Sequence, residues 1–171
     1  SEECNYNIDL NIVEDFLMNG EVDGFLFVNV LGVPHRRKEL SFLKEKYGCY
    51  ILEDSCASVG AKFGNGDYIG TVGDMSTFSF YFGHHITTIE GGMVCTNDEK
   101  FYEQALLFRS HGMTRGVSNR IEEHYEKKYP DLNPLFTFAV PGYNMRNQEL
   151  NAVLGLEQLK RLQYNCDKRR D

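Results

Sequence analysis

"GFLFVNVLGVPHRRKELSFLKEKYGCYILED", residues 24–54, carries the pattern that decides the fold. Its opening "GFLFVNV" is an apolar run with β-branched and aromatic members, the signature of a strand buried in a parallel sheet. "PHRRKELSFLKEKYG" then supplies a helix, with Pro34 near its first turn and Gly48 as its stop. "CYILED" is a second apolar strand, and it ends in two carboxylates, Glu53 and Asp54. Strand, helix and strand within about 30 residues make a βαβ unit, so the chain is expected to be α/β.

Outward from this unit the periodicity continues. Before it, "NIVEDFLMNG" sets Ile12, Val13, Phe16 and Leu17 at helical spacing and closes on Gly20. After it, "MSTFSFYF" and "GMVCTN" read as two further strands, and "DEKFYEQALLFRSHG" as an amphipathic helix. Residues 114–140 lose all periodicity, and "HYEKKYPDLNP" is polar, charged and broken by proline, which predicts a long loop of the kind that is often functional or mobile. "RNQELNAVLGLEQLKRLQ" returns to helical spacing at Leu150, Val153, Leu154, Leu159 and Leu162. "GNGDYIG" neither follows a strand nor opens a helix, so it is a turn and not a dinucleotide fingerprint. "PGYN", residues 141–144, is turn chemistry as well.

Composition narrows the function. The 171 residues carry 18 Lys and Arg against 25 Asp and Glu, a net charge of −7, with the basic residues scattered among acidic ones. No basic face is offered to a phosphate backbone, which argues against nucleic acid as a partner. No run approaches the 18 apolar residues or so that a membrane span needs, and there is no signal-peptide pattern. The chain reads as soluble and cytoplasmic. The five cysteines, at positions 4, 49, 56, 95 and 166, show no CxxC spacing, so they are read as reduced and mostly buried thiols, with neither a disulfide framework nor a metal site. A start other than Met and an end at "CDKRRD" inside a helical pattern suggest part of a longer chain.

In a parallel α/β sheet ligands gather at the carboxyl ends of strands, which is where Asp54, the stretch from Ser79 to His85, and Glu90 fall. Asp54 could cap a helix opened by "EDSC", or it could pair with a buried cationic atom such as a protonated pyridine nitrogen. His84 and His85 are adjacent, so on an extended chain they would point to opposite faces and would chelate one metal poorly. Each could be a hydrogen-bonded structural group, or an imidazole moving protons near neutral pH.

Taken in order, "ILEDSCASVGA", "GTVGDMSTFSFYFGHHITTIEGGMVCTNDE", "LLFRSHG" and "PGYNMRNQELNAVLGLEQLKRL" resemble the sugar aminotransferase and dehydratase family named for its DegT, DnrJ, EryC1 and StrS members. The resemblance covers nearly the whole chain. It implies the large domain of the aspartate-aminotransferase-like fold (fold type I), a mixed, mostly parallel sheet flanked by helices. Residues 1–171 would form a single partial domain, with the phosphate cradle before residue 1 and the small C-terminal domain after residue 171. The implied cofactor is pyridoxal 5′-phosphate or its amine form, pyridoxamine 5′-phosphate.

Family members that transfer an amino group carry a lysine six residues before the Glu of the Glu-Gly-Gly turn, and here that position is His84. Imidazole has no primary amine for an imine, yet it can take up and release a proton. The resemblance therefore points to the 3-dehydratase branch, which removes the 3-hydroxyl of a 4-keto-6-deoxy nucleotide sugar in deoxysugar and O-antigen biosynthesis. The substrate would be GDP-linked and the amino donor glutamate. A second dehydratase type holds an iron–sulfur cluster on cysteines after "SHG"; no cysteine lies between Cys95 and Cys166 here, and such a cluster needs about four ligands.

Carried over by position, Asp54 would pair with the pyridinium nitrogen, Ser79 would bind the phosphate, and His84 would be the acid/base that takes a proton from the cofactor's C4′ carbon. His111, Arg115 and Asn144 match positions that reach into a neighbouring subunit's site, Asn144 toward its cofactor, which implies a homodimer with shared sites. Arg115 suits an anionic sugar nucleotide through its planar fork. Ala57 departs from the pattern, standing where relatives carry a polar residue near the cofactor ring. The alternatives are an aminotransferase of the same fold and a non-catalytic remnant of it.

Overall fold

The computed structural model describes residues 6–170; Cys4 lies outside them. Two compact units are present, one built from the chain up to Cys95 together with the segment from Glu149 onward, the other from Thr96–Gln148.

The first unit is organised on a four-stranded sheet of order β1-β2-β3-β4, formed by Gly24–Val28, Tyr50–Asp54, Met75–Ser79 and Gly92–Cys95. The first three strands run parallel, and β4 returns antiparallel on β3. Between β1 and β2 lies helix α2, Arg37–Tyr47, which ends on Gly48 in the left-handed conformation that glycine adopts without steric cost. Helix α1, Leu10–Met18, begins at Asp9, whose carboxylate accepts the Asn11 amide. Its buried stripe is Leu10, Val13 and Leu17. The helical spacing is as expected, but Ile12 and Phe16 turn outward instead.

Phe27 and Ile51 from the sheet meet Leu40 and Leu43 from α2 and the stripe of α1 in one core, with Phe25, Tyr47 and Val72 packed around it. Each fully buried side chain of this size contributes roughly 1.5–3 kcal/mol. The opposite face differs from the sequence expectation of strands buried on both sides: Leu26 is 56% exposed, and Val28 and Leu52 are also open. A continuous apolar run shows that both faces can be buried, while burial itself needs a covering layer, and the helices that follow β1 and precede it cover one face only.

The returning helical segment is two helices, α5 (Glu149–Leu159) and α6 (Leu162–Arg170), not one. Leu150, Val153, Leu154 and Leu159 on α5 are exposed. Neither helix, nor any other among the described residues, is long and apolar enough to cross a membrane.

In the second unit helix α3, Glu99–Arg109, is capped by Asp98, which accepts from the Lys100 and Phe101 amides. Residues 114–140 are not the unstructured excursion expected from the sequence. They hold helix α4, Asn119–Lys128, and a single 3-10 turn at Pro134–Phe136. Ser118 caps α4 by accepting from the Ile121 amide, and Glu123 pairs with Lys127 one turn on. Glu103 of α3 is buried and accepts from Ser118 Oγ (2.5 Å) and from Arg120, which ties the start of α4 to α3.

Candidate active site

The carboxyl edge of the parallel strands brings the first candidates together. Register pairs Asp54 on β2 with Thr77 on β3, so Asp54, Thr77 and Ser79 project from the same face of the sheet. That face is the open one, shared with Val28 and Leu52. Asp54 is half-buried, and its Oδ1 accepts from the Cys56 amide at 3.0 Å in a turn of two residues; no helix starts there, so the capping alternative is not realised. Cys56 in turn lies 3.8 Å from the Thr77 hydroxyl. Ser79 ends β3, and its Oγ accepts from the Tyr81 amide at 3.2 Å. Ala57, three residues after Asp54, is half-buried and offers only a methyl group.

The neighbouring carboxylate has a different task. Glu53 faces the opposite side and is 1% exposed. Its Oε1 accepts from the Val72 and Gly73 amides, both at 2.6 Å, and its Oε2 from the Gly70 amide at 2.9 Å. It anchors the turn that leads into β3. A charged residue inside an otherwise apolar strand was the sequence signal for this anchor. Asn29, just after β1, is likewise buried, with its side-chain Nδ2 donating to Ser55 Oγ at 3.3 Å and its backbone carbonyl accepting from Ser58 Oγ at 2.5 Å.

His84 and His85 sit in the loop between β3 and β4. The loop is closed at its base by two bonds on Phe80, whose amide donates to Gly91 O and whose carbonyl accepts from the Thr88 amide, both at 2.8 Å. Within it the chain bends rather than extending, so the two imidazoles do not follow strand alternation. The His84 amide donates to Tyr81 O at 3.1 Å, and its ring meets that of Tyr81 edge-on at 6.2 Å. Ile89 takes a left-handed conformation (φ 72°), unfavourable for a β-branched residue, and is held there by its amide bond to Thr87 Oγ1 and by Thr88 Oγ1 bonding to Glu90 O. Gly92 is required by close approach, because a Cβ there would lie 2.8 Å from Phe78 O.

Both histidines line a cavity of about 320 Å³, together with Phe82, Gln158, Lys168 and Arg169. His84 is half-buried. His85 has a buried Nδ1 without a hydrogen-bond partner among the described residues. Burial first, then the Arg169 guanidinium and the adjacent His84, push its pKa below the ordinary histidine value. The loop is also gripped from α6: Arg169 Nη2 donates to Gly83 O (2.9 Å) and His84 O (3.1 Å), and Asn165 Nδ2 donates to His85 O (2.8 Å). Nothing in the sequence singled out these two residues, since Arg169 sits in a run of basic residues that reads as a solvated helix end.

The remaining candidates lie in the second unit. Ser110 and Asn144 form an isolated antiparallel bridge, and the His111 amide donates to Tyr143 O at 2.7 Å, so "SHG" and "PGYN" clasp backbone to backbone. His111 has φ 63°. Gly112 (φ 80°) is needed because a Cβ would overlap the Val140 carbonyl. Asn144 and Arg115 are exposed, and Arg115 Nη2 lies 3.8 Å from Met113 Sδ. Of the cysteines described, Cys49 alone is buried; Cys56, Cys95 and Cys166 are half-buried, short of the mostly buried set expected, and burial raises all four thiol pKa values. No group of three or more His, Cys, Asp and Glu among the described residues is placed to hold a metal ion.

Comparison with known proteins adds a second line of observation. The sequence profile of the DegT/DnrJ/EryC1/StrS aminotransferase family matches residues 1–171. GDP-4-keto-6-deoxy-D-mannose 3-dehydratase of Yersinia pseudotuberculosis is 39% identical over 164 residues, 96% of this chain and 41% of that protein. A crystal structure of GDP-4-keto-6-deoxymannose-3-dehydratase with a trapped PLP-glutamate geminal diamine superposes with TM-score 0.78 at 35% identity, covering 93% of this chain and 41% of that one. Helicobacter pylori PseC, an aminotransferase involved in the biosynthesis of pseudoaminic acid, superposes with TM-score 0.74 at 31% identity, covering 92% and 38%. The chain thus spans about 41% of the length of the dehydratases it resembles.

Proposed function

The chain belongs to the DegT/DnrJ/EryC1/StrS aminotransferase family, and from that premise we propose that this protein is a pyridoxamine-phosphate-dependent dehydratase removing the 3-hydroxyl of a GDP-linked 4-keto-6-deoxy sugar. The observation that carries the reading is His84: a half-buried imidazole on the wall of a cavity, six residues before Glu90, where transaminating relatives need an amine.

The residues present fit the cofactor. Asp54 and Ser79 supply a carboxylate and a hydroxyl on one open face of the sheet, on adjacent strands, the pair of groups a pyridinium nitrogen and a phosphate require. When bound, the cofactor supplies an electron sink for breaking a carbon–oxygen bond next to a ketone. Asp54 stabilises positive charge at the ring nitrogen, and Ser79 orients the phosphate by hydrogen bonding. His84 would hold and move one proton: a ring nitrogen would take it from the cofactor's C4′ carbon, and the imidazolium would deliver it to the departing 3-hydroxyl, which leaves as water. Arg115 would meet the diphosphate of the sugar nucleotide. His111, Arg115 and Asn144 would act in a neighbouring subunit's site, so a homodimer is part of the proposal, as is the assignment of residues 1–171 to one large cofactor-binding domain. Glutamate would restore the amine form of the cofactor; the glutamate adduct in the related crystal structure supports this donor.

The test is product identity. Incubated with cofactor, glutamate and GDP-4-keto-6-deoxymannose, the intact protein should release ammonia and a 3-deoxy sugar. A stable amino sugar as the sole product would assign it to the aminotransferases, and failure to bind pyridoxamine phosphate would mark a remnant. His84→Asn should retain cofactor binding, because Asp54 and Ser79 are untouched, while dehydration falls at least about 100-fold, the lower range for a positioned acid/base group.

A further inference from the structure

We propose, resting on the dehydratase reading above, that Arg169 and Asn165 are positioning residues that set the direction of the His84 side chain from helix α6. Three consecutive carbonyls of the loop, those of Gly83, His84 and His85, are held by these two side chains at 2.9, 3.1 and 2.8 Å. The carbonyls of Gly83 and His84 belong to the two peptide planes that meet at the His84 Cα. Each peptide is rigid, so fixing both planes fixes φ and ψ at that atom and with them the direction of the Cα–Cβ bond. Both contacts come from one nitrogen, Nη2, whose two N–H groups are fixed in the guanidinium plane; a lysine ammonium is a freely rotating point donor on a flexible stem.

Asn165 and Arg169 are four residues apart, hence on one face of α6. The helix is itself seated. Cys166 Sγ donates to Val59 O at 3.3 Å and packs so closely on Gly60 that a Cβ there would lie 2.7 Å from the sulfur. The loop needs such a support, since its bends contain little regular bonding of their own: Phe80 closes the base, and the His84 amide bonds within the turn. Arg169 holds the backbone oxygens on either side of the His84 Cα, so its effect on the reaction is exerted through His84.

The experiment compares Arg169→Met, Arg169→Lys, Asn165→Ala and a control, Arg170→Ala, in the intact protein. Arg170 pairs with Asp167 along the helix surface, whereas the loop carbonyls of Gly83 and His84 are held by Arg169. A misplacement of about 1 Å can cost ~100-fold in rate. Arg169→Met should therefore lower kcat roughly 10- to 100-fold with KM nearly unchanged, Arg169→Lys should recover part of the loss, and Arg170→Ala should behave as wild type. Amide exchange across residues 82–88 should quicken in Arg169→Met and in Asn165→Ala. Unchanged exchange and unchanged kcat in Arg169→Met would overturn the proposal, as would a rise in KM alone, which would make Arg169 a ligand-binding group. An equal loss in Arg170→Ala would also overturn it. If the wild type yields no 3-deoxy sugar, the dehydratase reading fails by itself, and the exchange measurement still decides the clamp. Should Arg169→Met not fold, Asn165→Ala decides by the same two measurements.

Discussion

Replacing Glu53 by Gln should unsettle the turn that feeds β3, even though the two side chains have nearly the same shape. Glu53 accepts three backbone amides, two on Oε1 and one on Oε2, in a site from which water is almost wholly excluded. A glutamine can turn its carbonyl toward Val72 and Gly73 and keep two of the bonds, but as neutral ones. Bonds to a charged acceptor contribute about 1.5–3 kcal/mol against 0.5–1.5 for neutral pairs, so this change costs about 1 kcal/mol for each bond. Its NH₂ then faces the Gly70 N–H, donor against donor, and a donor left without an acceptor costs a further 1–3 kcal/mol or so. The neutral side chain avoids the desolvation of a carboxylate, which offsets part of the loss. The net expectation is about 2–4 kcal/mol, a large share of the roughly 5–15 kcal/mol that holds a typical domain folded. Urea unfolding of the intact protein is the assay; with a slope near 2 kcal/mol per M, the midpoint should fall by about 1–2 M. A midpoint within about 0.3 M of wild type would refute the reasoning, because it would mean the three amides do not depend on the charge.

Leu40, fully buried between α1, α2 and the sheet, should cost about 2–5 kcal/mol when cut to Ala, read as a lower calorimetric midpoint without a change in the native circular dichroism. Gly112→Ala forces a methyl group into the Val140 carbonyl at a left-handed backbone angle, so limited proteolysis should cut within residues 110–144 faster than in wild type. His35 is buried against Phe27 and its pKa is held below 6.5 chiefly by that burial, so the unfolded chain binds its proton first. Stability should therefore fall as pH drops below about 6.5, by up to about 1.4 kcal/mol per pH unit from this group until the folded value is reached; His35→Phe should flatten that part of the urea midpoint against pH.

Which parts of this architecture could be read from residues follows from what each part depends on. The βαβ unit rests on runs and stops within one segment, and "GFLFVNV", Gly48 and "CYILED" supply the strand, the helix stop and the second strand in the expected order. Helix α4 is hard to see in "NRIEEHYEKK" because its apolar side is carried by Ile121 and Tyr125 alone among charged residues. Its order comes from the Ser118 cap, the Glu123 and Lys127 pair, and the tie to the buried Glu103, and a search for apolar periodicity is blind to all three. The open face of β1 was misread for the opposite reason, since Leu26 and Val28 announce a capacity to be buried and say nothing about what covers them. At the site, Asp54 and Ser79 could be placed by chain order along a parallel sheet. The bends that turn His84 and His85 away from strand alternation could not, because they depend on bonds reaching Asn165 and Arg169, more than 80 positions downstream for His84 and 80 for His85.

That separation has a bearing on how the protein is made. A chain leaves the ribosome from its N-terminus, and its early segments fold while later ones are still being added. The strands β1, β2 and β3 can pair once Ser79 has emerged, whereas the turn around His84 must wait for a helix synthesised some 80 residues later. Contacts so distant along the chain form slowly, because a long loop has to be closed before they give any return. The sheet would thus mature early while the histidine turn stayed unanchored. Chains arrested before Asn165 should then have a formed β1–β3 core and no fixed orientation for the imidazole, so that the competence to handle protons is acquired only after the sheet.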